Sequence, residues 1–244
     1  VLVLLAVGAA AVLGWRWHRS IPVRQVVVTG ATHAVPDSLV RLARAEIGQA
    51  LYRLQPRLVA DRVERHPWVE HAEAARHPDG TLRITVVERT PAALVVQDGE
   101  AAYYLDAAGY PLSMPGGGAA FDVPLVRGLD EAAQPHQPHR PTGHAALRRL
   151  LSALRDDASA DALVSEIRVG EGVRLRTVPD GRGRSAEVRL GAGAFAQKLR
   201  RLTAFWQQAV REAPHTAFHR IDLRFDGQIV ARQHPFSPPS TLTP

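Results

Sequence analysis

Two periods of apolar positions run through this chain, preceded by a stretch with no period at all. Residues 1–15, VLVLLAVGAAAVLGW, are uncharged and almost wholly apolar, and they run straight into Arg16, Trp17 and Arg19. Such a run suits lipid. It is shorter than the roughly 20 residues that cross a bilayer, and the first residue is not Met, so an upstream part that completes the span is expected. Two other readings stay open: a signal-peptide apolar region ending near Ala9-Ala10-Ala11, and a buried core helix. We take residues 1–17 as a transmembrane helix, with Trp15 and Trp17 at the interface, and residues 18–22 as a linker.

Beyond Pro22 the periods emerge. Residues 23–29, VRQVVVT, are β-branched and end at Gly30, which predicts a strand closed by a turn. Pro36-Asp37-Ser38 then opens a helix on which Leu39, Leu42, Ala43 and Ile47 share a face until Gly48 stops it. Pro56 opens a second helix with Leu58, Val59 and Val63 on its apolar side, and Pro67 ends it. Residues 69–76 and 81–88 read as two strands joined by His77-Pro78-Asp79-Gly80, a hairpin turn in which glycine supplies the positive φ. The order is strand, helix, helix, strand, strand, with Trp68 expected as a core plug and Pro91 ending the last ladder.

From Ala93 the texture changes to short strands and turns, with strands at 103–106 and 124–128 around Gly109. Residues 130–143, rich in Pro, His and Gln, read as a loop. A helix over 144–157 precedes strands at 164–169, 173–178 and 186–190. A second helix over 194–212 carries a buried stripe of Leu199, Leu202, Phe205, Trp206 and Val210. The last strands are 219–225 and 228–232, turned by Asp226-Gly227, and the Pro/Ser/Thr-rich residues 235–244 read as a disordered tail. The fold class is therefore α+β, with a first domain over 23–92 and a second mixed α/β domain over 93–234 holding a largely antiparallel sheet.

Charge changes little in this picture. The net charge is +6 with a single lysine, Lys198, among 30 basic residues, and the pI is near 10.6. The arginines are spread along the whole sequence and are not interleaved with aromatics, which argues against nucleic acid as a partner. The absence of cysteine removes disulfides and thiolate chemistry.

Candidate chemistry is thin. His66, His71 and His77 straddle a helix end, a strand and a turn rather than forming an i, i+4 metal pair, and they are expected to be exposed to solvent. His136, His139 and His144 lie in a proline-broken stretch. Gly116-Gly117-Gly118 lacks the Lys-Ser/Thr of a phosphate loop, no Gly-x-Ser-x-Gly elbow occurs, and Lys198 does not follow a serine at the spacing of penicillin-binding enzymes. Asp156-Asp157 sit at a helix end. These patterns predict no catalytic residue, no metal and no cofactor.

Several words of the sequence resemble a known family. The strand and helix order, together with Val28-Thr29-Gly30, Pro67-Trp68-Val69 and Val87-Glu88-Arg89-Thr90-Pro91-Ala92, is similar to the POTRA domain of the FtsQ/DivIB family. Tyr103-Tyr104-Leu105-Asp106, Pro124-Leu125-Val126-Arg127-Gly128 and above all Ile221-Asp222-Leu223-Arg224-Phe225 resemble its second domain, in the family's order. The resemblance implies a single-pass inner-membrane scaffold of the division septum, mostly outside the cytoplasm, that recruits FtsB and FtsL and has no enzymatic activity. It suggests strand addition at the C-terminal hairpin, where Arg224, Phe225, Gln228, Ile229, Val230, Ala231 and Arg232 are the expected partner-binding residues. The alternative is a POTRA-type chaperone for outer-membrane or secreted substrates, which would be expected to show repeated modules or barrel strands.

Overall fold

The computed structural model describes residues 3, 7–9, 21–116, 120–129, 140–179, 185–212, 218–225 and 227–233. The expected membrane helix over 1–17 and the tail over 235–244 thus lie largely or wholly outside the described residues. Among the described residues no helix is long and apolar enough to cross a membrane. The chain forms two compact units that divide between Thr90 and Pro91.

The first unit has the expected order: β1 (Gln25–Thr29), α1 (Pro36–Ala43), α2 (Pro56–Val63), β2 (Val69–Arg76) and β3 (Thr81–Glu88). A one-turn 3-10 helix, Leu51–Arg53, intervenes between α1 and α2. β3 is the central strand, parallel to β1 and antiparallel to β2. Strict alternation along β3 buries Leu82, Ile84 and Val86, and α1 and α2 bury Leu39, Ala43, Val59 and Val63. The period-2 face of the sheet and the period-3.6 faces of the helices thereby share one core. Trp68 is 2% exposed and stacks on His33, ring centroids 4.9 Å apart.

The turn before α1 is held by one carboxylate. Glu88, at the end of β3, accepts hydrogen bonds from the backbone N–H groups of Thr32, His33 and Ala34 at 2.8–3.0 Å, and its other oxygen lies 2.9 Å from His33 Nδ1. Burial pushes the Glu88 carboxyl up, but the hydrogen bonds from Ala34, His33 and Thr32 outweigh it and hold it below its ordinary value. A carboxyl lowered in the folded state stabilises above its unfolded value, and that contribution is lost as pH falls through the folded one. Glu88→Gln is expected to cost about 1.5–3 kcal/mol at neutral pH. Denaturant unfolding of variant and parent should converge in acid, below the ordinary carboxyl value of 4.5; a gap independent of pH would show that charge plays no part.

The second unit contains β4 (Pro91–Gln97), β5 (Glu100–Asp106), β6 (Pro111–Leu112), β7 (Leu125–Arg127), α3 (Ala145–Arg155), α4 (Ala158–Asp161), β8 (Val164–Arg168), β9 (Val173–Thr177), β10 (Glu187–Gly191), α5 (Phe195–Glu212), β11 (Phe218–Asp222) and β12 (Val230–Gln233). One nine-stranded sheet runs β12-β11-β10-β9-β8-β7-β4-β5-β6. Five of its eight pairings are antiparallel. The pairs β7/β8 and β10/β11 are parallel, and each is bridged by helix, α3 with α4 and then α5, as a crossover demands. Leu147, Leu150, Leu151 and Leu154 of α3 and Leu199 and Leu202 of α5 join Val126, Ile167, Leu175, Val188 and Ile221 of the sheet in one core.

Several expectations are corrected. α1 stops at Ala43 because Arg44 turns left-handed at φ 52, and Ile47 is exposed. Leu58 is exposed on α2. Pro91 begins β4 rather than ending a ladder, at a strand's first position where its missing N–H is tolerated. Asp157, expected only at the end of the preceding helix, caps α4 by accepting from Ala160 N at 3.0 Å. Trp206 is only half-buried at the margin of the core, as is Phe205. The Val210 side chain lies outside the described residues.

Candidate functional site

The connection of the C-terminal hairpin is longer than the sequence pattern suggested: the first strand ends three residues earlier and the second starts two residues later. β11 ends at Asp222 and β12 starts at Val230, so Arg224, Phe225, Gln228 and Ile229 sit in the connection and Val230, Ala231 and Arg232 in the strand. The cause is Asp222. Its carboxylate accepts from Arg224 Nε at 2.9 Å and Nη2 at 2.7 Å, and from the Arg224 backbone N–H at 3.1 Å, which bends the chain out of the ladder. The Arg224 side chain, by that same hydrogen bonding, holds the Asp222 carboxyl below the usual carboxylate range. Arg224 is therefore already paired, and its guanidinium lies 5.9 Å from the centre of the Phe225 ring.

β12 is the terminal strand of the sheet. On its inner side it pairs antiparallel with β11, matching Asp222 with Val230, Ile221 with Ala231 and Arg220 with Arg232. Among the described residues no strand pairs with its outer side. Alternation then sorts the side chains: Ile229 and Ala231 pack against the core, whereas Val230 is 42% exposed and Arg232 also faces solvent. Phe225, at 52% exposed, adds a second apolar side chain beside the strand. The connection is anchored by Arg201 of α5, whose Nη2 donates to the Gln228 carbonyl. The opposite edge, β6, is two residues long and starts with proline, a short edge of the kind that discourages pairing.

The histidines do other work than was expected of them. His71 is exposed, with its Nδ1 2.9 Å from Glu64, but His66 and His77 are half-buried. Burial pushes the His66 imidazole down. His144 caps α3, its Nδ1 accepting from Leu147 N at 3.1 Å. His136 and His139 lie outside the described residues, as do Gly117 and Gly118. Among the described residues no group of three His, Asp or Glu side chains could hold a metal. Lys198 is 8% exposed, and its Nζ donates to the Leu190 carbonyl at 2.6 Å.

Two concavities lie apart from the hairpin. One of about 430 Å³ is lined by Arg41, Arg44, Arg62 and Arg65 with Ser38 and Leu42. Arg41 and Arg62 stand in the last turns of α1 and α2, where cations offset the helix dipole. The other, about 510 Å³, includes Asp122 and Asp161; burial, and then the charge of Asp122, push the Asp161 carboxyl up.

Comparison with known proteins covers both units. A family model described as the POTRA domain, FtsQ-type, matches residues 21–89, and one described as FtsQ/DivIB, C-terminal related, matches residues 90–232. The chain is 46% identical to the cell division protein FtsQ of Salinibacter ruber, over 96% of this chain and 91% of the relative. It is also 46% identical to that of Rhodothermus marinus, over 94% and 85%. With that of Anaeromyxobacter sp. the identity is 33%, over 83% and 69%.

Proposed function

Since the chain belongs to the FtsQ/DivIB family of cell-division proteins, we propose that it is a non-enzymatic scaffold of the division septum that recruits FtsB and FtsL by strand addition along β12. Residues 1–17 anchor it in the inner membrane, residues 18–22 link the anchor to a POTRA domain over 23–92, and residues 93–234 form the partner-binding domain ahead of a tail over 235–244. The observation that carries the reading is the open outer side of β12, flanked by exposed Phe225 and Val230. A partner strand satisfies the free backbone groups, while Phe225 and Val230 give it apolar contacts. Ile229 and Ala231 support the strand from the core side, and Gln228 holds the connection to α5 through its carbonyl.

Charge plays a secondary part. Arg224 is committed to Asp222, which leaves Arg232 to steer an acidic partner. Arg232→Ala is expected to slow association and weaken its salt dependence with little change in dissociation. The chaperone alternative is disfavoured, because a single POTRA match is followed directly by the C-terminal related match rather than by another module.

The N–H groups of adjacent residues in a strand point to opposite edges, so of Ala231→Pro and Arg232→Pro one removes a donor from the β11 ladder and the other from the open side. With the full chain in detergent and an FtsB ectodomain, the open-side variant should keep its circular dichroism yet bind about tenfold or more weakly by calorimetry. If both proline variants fold and bind with the affinity of the parent, β12 is not the site.

A further inference from the structure

In the first unit, the C-terminal ends of α1 and α2 share one concavity of about 430 Å³, and four arginines line it. Arg41 lies in the last turn of α1 and Arg62 in that of α2, whereas Arg44 closes α1 and Arg65 stands two residues past the end of α2. The other lining residues are Ser38 and Leu42, and no carboxylate is among the described ones. Sites for small ligands usually have volumes of roughly 300–1,000 Å³. Helix dipoles account for part of this arrangement, because a cation in the last turn offsets the carbonyl end of a helix. One arginine per helix meets that need. Arg44 and Arg65 lie beyond the last helical residues and are left over.

Nothing nearby neutralises the four. None of them has an ion-pair partner among the described residues. Asp37 and Asp61 each stand four residues before one of the arginines, Arg41 and Arg65, yet no ion pair forms, and exposed pairs at that spacing are weak enough for a bound anion to displace. Glu64 is engaged elsewhere, with His71 Nδ1 at 2.9 Å and the Ala72 backbone N–H at 3.0 Å. The Ser38 hydroxyl donates to the Val35 carbonyl at 2.6 Å, so the guanidinium groups are the donors that the lining side chains offer. Two of them are held in place by the chain itself. Arg62 Nη1 donates to the Ala43 carbonyl at 3.4 Å. Arg44 takes φ 52 at a helix end where glycine is the usual residue, so a guanidinium is set there at a conformational cost.

We propose that Arg41, Arg44, Arg62 and Arg65 form a binding site for a phosphate group, carried by the headgroup of an anionic phospholipid or by a soluble phosphate. Geometry separates phosphate from carboxylate. A carboxylate has two oxygens in one plane and a single charge, which one guanidinium fork satisfies, whereas the oxygens of a phosphate point in several directions and can accept from forks arriving from two helices. On the reading of residues 1–17 as a membrane anchor, a headgroup is the source within reach, since the five linker residues 18–22 extend to no more than about 18 Å. The site itself does not depend on that reading. It lies wholly in the first unit, so it is also independent of strand addition at β12.

The test uses the full chain in neutral detergent, with the arginine side-chain nitrogens labelled for nuclear magnetic resonance. Inorganic phosphate should move the four Nε signals along one saturating curve, bind about tenfold more tightly than acetate, and weaken as salt is raised. The pair Arg44→Gln, Arg62→Gln should lose about tenfold in affinity, and Arg44→Lys, Arg62→Lys should recover only part of it, because lysine keeps the charge without the fork. The pair Arg41→Gln, Arg65→Gln, which leaves the Arg62 bond to Ala43 intact, should lose about as much and covers the case in which the first pair fails to fold. Glycerophosphoglycerol, the soluble headgroup of phosphatidylglycerol, separates the sources: it carries the same single charge as acetate, and binding as tight as that of phosphate assigns the site to lipid. The same signals should then shift in nanodiscs of phosphatidylglycerol and not of phosphatidylcholine. Headgroup binding in detergent without that shift would keep the phosphate site and count against the membrane reading, while binding of inorganic phosphate alone assigns the site to a soluble ligand. Acetate binding as tightly as phosphate, unchanged affinity in folded glutamine variants, or tighter binding of a glutamate-rich peptide than of any phosphate overturns the proposal.

Discussion

Replacing Trp68 by alanine is expected to cost the first unit about 3–5 kcal/mol, the range for truncating a fully buried aromatic. Units of this size are stable by roughly 3–10 kcal/mol in all, at about 0.05–0.15 kcal/mol per residue, so a large part of the fold's margin would go. The size of the effect comes from position as well as volume. Trp68 stands between the end of α2 and the start of β2, stacks on His33, and through its carbonyl accepts a hydrogen bond from Arg89 N at 2.9 Å. Removing the indole therefore opens a cavity and also withdraws the surface on which the Glu88-bound turn rests. Hydrogen exchange reads the loss locally: β3 amides should exchange about 10²–10⁴-fold faster in the variant, with β8–β10 unchanged. Trp206→Ala, at a half-buried site, should do much less. Equal effects of the two substitutions would mean that burial does not govern either site.

The first unit was legible because its punctuation is local. His77-Pro78-Asp79-Gly80 announces a hairpin, and the turn forms for the reason the residue types suggest: Asp79 accepts from Thr81 N at 2.8 Å and Gly80 takes φ +95. The end of α1 was misread because the left-handed position falls on Arg44, where no glycine marks it, while Ile47 continues the helical spacing into a stretch that has already turned away. In the second unit one signal was present and overlooked. Asp98-Gly99, with φ 52 and 89, is a two-residue hairpin turn between β4 and β5, and the apolar run before it is β4 itself.

The candidate site divides along the same line. That the last strand would form an edge follows from its place before a polar tail, which sequence displays. Which residues leave the ladder does not, because the break comes from Asp222 capturing Arg224, a contact that depends on the folded conformation. The cross-strand alignment of Arg127, Arg168, Arg174 and Arg189 was hidden more deeply. These arginines are dispersed in sequence, and the dispersal was taken only as a reason against nucleic acid. Only pairing register brings positions 127, 168, 174 and 189 into line, and register is set by long-range packing of the sheet's other face.

Gly30→Ala is expected to be comparably damaging to the first unit, at about 2–5 kcal/mol, and its cause can be separated into two parts. Gly30 follows β1 with φ +85, a conformation that costs a side-chain-bearing residue about 1–2 kcal/mol. A methyl group there would also lie 2.1 Å from the Val86 carbonyl oxygen. That oxygen cannot easily yield, since Val86 belongs to the central strand and is held in register with Ala72 of β2. The clash must then be relieved by moving β1 away from β3, at a further cost of about 1–3 kcal/mol. Gly48 supplies the control, because it has φ +89 and nothing within 4 Å of the position a methyl group would take. Gly48→Ala should therefore show the conformational part alone. Denaturant unfolding of the two variants, monitored through β3 exchange, should differ by the clash; if they are equally destabilised, the close approach of β1 to Val86 is not what requires glycine at position 30.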